Sequence, residues 1–166
     1  NNIANKALDF TVKRIAELTG ILLVVLSILL FISLVSYYPK DPNFIFSDPT
    51  EKIRNILGFR GSFVSDLFFQ SIGLVSILVS ITIFFTGINL FRIKKFLLII
   101  ENLFYTVLYS ILGSLFFSTF YPDAFWLINN GNGGFIGKFL QESFLSSLIN
   151  INKNVFYYLV IFLILF

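Results

Sequence analysis

The sequence predicts an all-α membrane protein: a four-transmembrane-helix bundle with short extracytoplasmic amphipathic helices and a fourth span that is cut short. Three observations predict it. Apolar residues make up 57% of the 166 residues and charged residues only 13%, about half the charged share of a soluble domain, and the mean hydropathy is +0.88. Three apolar runs, at 15–36, 61–90 and 96–117, are each long enough to cross about 30 Å of hydrocarbon as a helix. None of them alternates as a barrel strand would, so internally bonded helices are the way to satisfy the backbone in lipid. Histidine, cysteine and methionine are absent. That removes a disulfide scaffold, a thiol nucleophile, the commonest metal ligand and the commonest base from this chain.

Residues 1–18 mix Lys6, Asp9, Lys13, Arg14 and Glu17 with Ile3, Ala7, Phe10 and Leu18 near helical spacing. This stretch either lies along the interface or lengthens the first span, 15–36. A signal peptide fits poorly, because the following apolar run is long and no small-x-small pattern closes it. The first outer loop is 37–60. Tyr37 and Tyr38 suit an interfacial belt, and Pro39-Lys40-Asp41-Pro42 forbids a continuing helix. Asp48-Pro49 reads as the start of a short surface helix running to Leu57 and stopping at Gly58.

The second span, 61–90, has polar first turns. Ser62 is a candidate cap, and Asp66 suits the field of the free N–H groups. Ser62, Asp66, Gln70 and Gly73 follow three-and-four spacing, with Ser65 beside them, so one small polar face should look at protein or water. A cytoplasmic turn, 91–95, follows. Its Arg92, Lys94 and Lys95 are the clearest topological marker; with Lys13 and Arg14 they put the N-terminus inside.

The third span, 96–117, carries Glu101, an ionisable group and hence a functional candidate, although a local salt bridge to Lys94 or Lys95 is the expected use. The second outer loop, 118–152, contains Tyr121-Pro122-Asp123, Trp126 and an Asn/Gly-rich turn. Gly133, Gly134 and Gly137 open an amphipathic helix, 136–149. No Lys-Ser/Thr pair follows these glycines, so tight turning outweighs phosphate binding. Residues 153–166 read as the start of a fourth span, truncated in this chain.

The ordered motifs Tyr38-Pro39-Lys40-Asp41-Pro42, Gly61-Ser62-Phe63-Val64-Ser65-Asp66-Leu67-Phe68-Phe69-Gln70-Ser71-Ile72-Gly73 and Gly133-Gly134-Phe135-Ile136-Gly137 stand between spans in the same order as in a known family. On them the chain resembles the N-terminal four-transmembrane region of the FtsK/SpoIIIE family of bacterial DNA translocases, over nearly its whole length. Asn43 departs from the family, which often has Ser after Asp-Pro, and the fourth span is incomplete. The resemblance implies an inner-membrane, multi-pass anchor at the division septum, joined to a cytoplasmic hexameric motor that uses ATP and Mg and pumps double-stranded DNA. It also implies contacts with other divisome membrane proteins. No Walker loop is present, so no cofactor and no ATP hydrolysis are expected of these residues.

Two other classes stay open on the residues alone. A transporter or channel would use Asp66, Gln70 and Glu101 as a polar path. A membrane enzyme would use Asp41, Asp66, Asp123 and Glu142 as acid and base, without a metal-ligand or nucleophile spacing to support it. The polar mouth at Ser62, Asp66 and Gln70 is either an internal hydrogen-bond network or a docking surface for partners or neighbouring subunits.

Overall fold

The computed structural model describes residues 2–42, 52–123, 127, 130–143 and 152–165. Six α-helices account for most of them: α1 (Asn2–Val35), α2 (Gly58–Ile72), α3 (Ser76–Ile93), α4 (Leu97–Phe120), α5 (Gly134–Glu142) and α6 (Lys153–Leu165), with a 3-10 turn at Gly73–Val75 between α2 and α3. Helix α1 runs unbroken through 34 residues, so the charged N-terminal stretch does lengthen the first span. Its sides expose Ile21, Leu22, Val25, Leu26 and Leu29, the pattern of a helix that faces lipid.

Helices α1 and α3 pack antiparallel along a seam of small residues. Gly20 and Gly87 face each other so closely that a Cβ on either would sit 2.7 Å from the other's carbonyl oxygen. Seven residues along each helix, Ser27 and Ser80 are both 1% exposed. Their hydroxyls turn back onto the carbonyls of Val24 and Ile77, each at 2.7 Å, and leave the seam thin. Small residues at such positions allow backbones in lipid to approach and gain packing energy. Helix α4 is tied to α3 within the bundle: Asn102 Nδ2 donates to Thr86 Oγ1 at 2.8 Å, and the hydroxyls of Thr82 and Tyr109 share a bond of 2.8 Å. Helix α6, 13 residues long, rests on the far end of α4 through Phe116, Phe120 and Tyr157, with the Phe120 and Tyr157 rings 4.9 Å apart.

The expected second span, 61–90, is not one rod. Its register with α1 shows why. The Ser33 hydroxyl donates to the carbonyl of Gly61 at 2.6 Å, while Leu74 and Ile77 pack with Leu30 on the cluster of Leu34, Phe69 and Leu127. Gly61 and Leu74 thus meet the same last turns of α1, although a helix between them is about 20 Å long. Helix α2 therefore lies across the end of α1, and α3 alone crosses. Its 18 residues span about 27 Å, close to the hydrocarbon thickness. The chain turns at Gly73, with φ 63° and ψ −145°, a conformation essentially confined to glycine.

Two further expectations change. Residues 52–57 form no helix, and Gly58 begins α2 rather than ending a helix; the expected start at Asp48 lies outside the described residues. Helix α5 ends at Glu142, where Ser143 takes an extended backbone, and residues 144–149 lie outside the described residues. Its buried face is Gly134 and Gly137, not the apolar stripe: Phe135 and Phe139 stack on each other, 60% and 61% exposed.

Candidate functional site

The end of the bundle where α1 stops carries a continuous polar cap, built from both interhelical loops and α2. Asp41 is its first fixed point. Pro39 and Pro42 hold this turn out of helical geometry, and the Asp41 carboxylate is 5% exposed. Its Oδ1 accepts the backbone N–H of Arg54 at 2.9 Å and its Oδ2 that of Asn55 at 2.8 Å. A carboxylate that holds two backbone N–H groups closes the loop on itself.

Asn55 is the second fixed point and was not foreseen. It is 4% exposed. Its Nδ2 donates to the carbonyls of Ser33 at 2.9 Å and Ser36 at 3.3 Å, and its Oδ1 accepts Leu57 N–H at 3.1 Å. The side chain so satisfies the carbonyls that α1 leaves open at its C-terminus. Gly61 must be glycine here, because a Cβ would overlap Asn55 Oδ1. A lone Asn in a loop gives no sequence signal; only the glycine six residues later hints at a close approach.

Ser62 is not a cap, since α2 begins four residues earlier, after Leu57. Its hydroxyl instead donates to the Pro42 carbonyl at 2.9 Å, and the Ser65 hydroxyl returns to Gly61 O at 2.9 Å. Asp66 and Gln70, half-buried on the next turns, join other partners. Tyr37 Oη donates to Asp66 Oδ1 at 3.2 Å, Gln70 Nε2 to the same oxygen at 3.4 Å, and Asn130 Nδ2 to Gln70 Oε1 at 2.8 Å. Burial, and then the Asp66 carboxylate beside it, push the Tyr37 phenol well above its ordinary value, because both penalise a phenolate.

Gly73 seats the second outer loop on the turn between α2 and α3. Leu74 N–H donates to the Asn132 carbonyl at 2.9 Å, and a Cβ at Gly73 would overlap that carbonyl. Gly134, at φ 65°, would place a Cβ 2.5 Å from Gly73 N. Gly133 and Gly137 lie against Ser114 O and Ser118 Oγ with no room for a side chain, so α5 seats its glycine face on α4. The Ser114 hydroxyl in turn donates to the Ile72 carbonyl at 3.0 Å, capping α2. Ser62, Asp66 with Gln70, and Gly73 thus bond or pack to different parts of the chain: Pro42, Tyr37 with Asn130, and Asn132.

At the opposite end, Glu101 does not pair with the basic turn. It is exposed at the start of α4 and has no ion pair among the described residues. Lys94 instead reaches Glu17 Oε1 at 2.5 Å, and Arg14 reaches Glu17 Oε2 at 2.6 Å. The antiparallel register of α1 and α3 makes Glu17 the nearer carboxylate. Lys94 itself takes the left-handed conformation, φ 61°, that ends α3. Arg92 and Lys95 are exposed beside it.

The family described as the 4TM region of DNA translocase FtsK/SpoIIIE has a model that matches residues 12–166. The chain is 28% identical over 131 residues to the DNA translocase FtsK of Rhizobium meliloti (strain 1021), covering 79% of this chain and 15% of that protein. It thus spans about 15% of the relative's length. No solved structure matches it.

Proposed function

The chain belongs to the family of the 4TM region of the FtsK/SpoIIIE DNA translocases, and we propose that it anchors such a translocase in the bacterial inner membrane and directs it to the division septum. The observation that carries the reading is the family match across residues 12–166 on a chain whose described residues hold three helical stretches, Asn5–Val35, Gly58–Ile93 and Leu97–Phe120, long and apolar enough to cross a membrane. In this reading the Arg92–Lys95 turn and the N-terminus face the cytoplasm, and the polar cap faces outward, toward divisome membrane proteins. A cytoplasmic motor, outside these residues, hydrolyses ATP with Mg and moves double-stranded DNA. Six such motors in a ring would hold six anchors at high mutual concentration.

The placement of the acidic residues supports this reading over a channel. Asp41 and Asp66 are engaged in the cap, and Glu101 lies at the other end of the bundle on an exposed face, so the three line no common path. The test is a fluorescent fusion of this chain expressed in dividing cells of its source, beside alkaline phosphatase fusions placed in the turn at Lys95 and in the loop at Asp123. A midcell band, with phosphatase activity only for the Asp123 fusion, is expected. Uniform membrane fluorescence would refute septal targeting, and activity at Lys95 would refute the orientation.

A further inference from the structure

Beside the polar cap lies a pocket of about 620 Å³ lined by Tyr38, Lys40, Lys52, Ile53 and Arg54, within the range of small-molecule sites. Three of the five lining residues among the described ones are cations. The Arg54 guanidinium is held over the Tyr38 ring, 4.2 Å from its centroid, so its planar donors are set in place before any ligand arrives. Lys40, Lys52 and Arg54 have no ion-pair partner among the described residues; Asp48 and Glu51 of the same loop lie outside them. Asp41, next to Lys40 in the chain, is engaged by the backbone N–H groups of Arg54 and Asn55, which brings the Lys40 and Arg54 segments of the loop together. A fixed guanidinium with two ammonium groups suits a phosphate diester, which takes charge-assisted bonds on its two free oxygens.

The setting selects a lipid as the source of that phosphate. The pocket starts three residues past the end of α1, where the apolar side chains of Phe31 and Val35 are 42% and 66% exposed. Two and five residues after Arg54, Ile56 and Phe59 stand 75% and 49% exposed where the chain enters the crosswise helix α2. Apolar side chains flanking a cationic pocket match the boundary between headgroup and acyl chain, and a free anion would leave them in water. We propose that Lys40, Lys52 and Arg54 bind the phosphodiester headgroup of an anionic phospholipid in the leaflet that borders the polar cap.

The test is native mass spectrometry of the delipidated chain titrated with phosphatidylglycerol or phosphatidylcholine. One phosphatidylglycerol should be retained at least tenfold more tightly than phosphatidylcholine. K40Q and K52Q, at exposed side chains with no hydrogen bond among the described residues, should each weaken it severalfold, and the triple variant K40Q/K52Q/R54Q should abolish the preference. R92Q/K95Q, at the other end of the bundle, should leave this lipid in place. Single variants that fold as the wild type, by circular dichroism, and keep its preference would overturn the proposal. So would loss of the lipid in R92Q/K95Q alone, or full competition by inorganic phosphate at equal concentration, which would make the site one for soluble anions.

Discussion

Replacing Gly73 by alanine tests the crosswise placement of α2 most directly. The backbone at Gly73 has φ 63° and ψ −145°, where any other residue carries about 1–3 kcal/mol of strain. The added Cβ would also overlap the Asn132 carbonyl. Relief of that overlap pulls Asn132 from Leu74 N–H and loses a hydrogen bond of about 0.5–1.5 kcal/mol. The two effects together predict a loss of roughly 2–4 kcal/mol. Gly58 supplies an internal control. It too has positive φ, 65°, but nothing lies within 4 Å of its Cβ position, so G58A meets only the backbone cost, about 1–2 kcal/mol. Both variants are to be unfolded by sodium dodecyl sulfate in dodecylmaltoside micelles and followed by far-ultraviolet circular dichroism. G73A should fall well below G58A. Equal losses would mean that the joint to Asn132 contributes nothing, and a gain in stability for G73A would mean that 58–93 runs on as a single rod.

Four further outcomes follow from the same geometry. D41N keeps one acceptor oxygen for two backbone N–H groups, so it should cost about 2 kcal/mol in the same unfolding assay and speed proteolysis of the first loop. Tyr37 carries a phenol whose proton is held more tightly in the fold than in the unfolded chain; its contribution is complete below about pH 10 and fades as pH rises through the raised value. Y37F should flatten the loss of stability above pH 10, and an unchanged slope would remove Tyr37 as its source. G87L drives a side chain into the Gly20 backbone and should cost at least about 2 kcal/mol by overpacking, read as a lower thermal midpoint in detergent. E17Q should raise the reactivity of Lys94 toward an amine-directed reagent, whereas E101Q should not, as peptide mass mapping would show.

The spans and the basic turn are legible in the sequence because hydrocarbon permits little else: an apolar run of this length has to be a helix. What hydropathy does not carry is direction. Residues 61–90 read as one rod, and only contacts with Ser33 and Asn132, 28 and 59 positions from their partners, reveal that its first half turns aside. Gly73 was picked out for its spacing, yet the reason it is glycine lies in Asn132, far along the chain. Asn55 was missed because its work depends on the carbonyls that α1 leaves open, which no local pattern announces. Glu17 was passed over for Glu101 because sequence distance from Lys94 is a poor guide once α1 and α3 lie side by side in antiparallel register.

The crosswise helix also has a mechanical consequence. If the chain anchors a DNA motor with its polar cap outside, as proposed above, the pull of that motor loads the anchor along the membrane normal. Three parallel rods would meet that load with little more than side-chain friction against fluid lipid. Here α2 and the loops it clamps form a flange across the end of the bundle, carrying Lys40, Asp41, Lys52, Arg54, Arg60 and Asp66. Dragging the flange inward would bring charges into hydrocarbon at about 2.5–3.5 kcal/mol each, or roughly 15–20 kcal/mol for the six if none were neutralised. The glycine joints at positions 61, 73 and 134 are the rivets that keep this flange from folding down under tension.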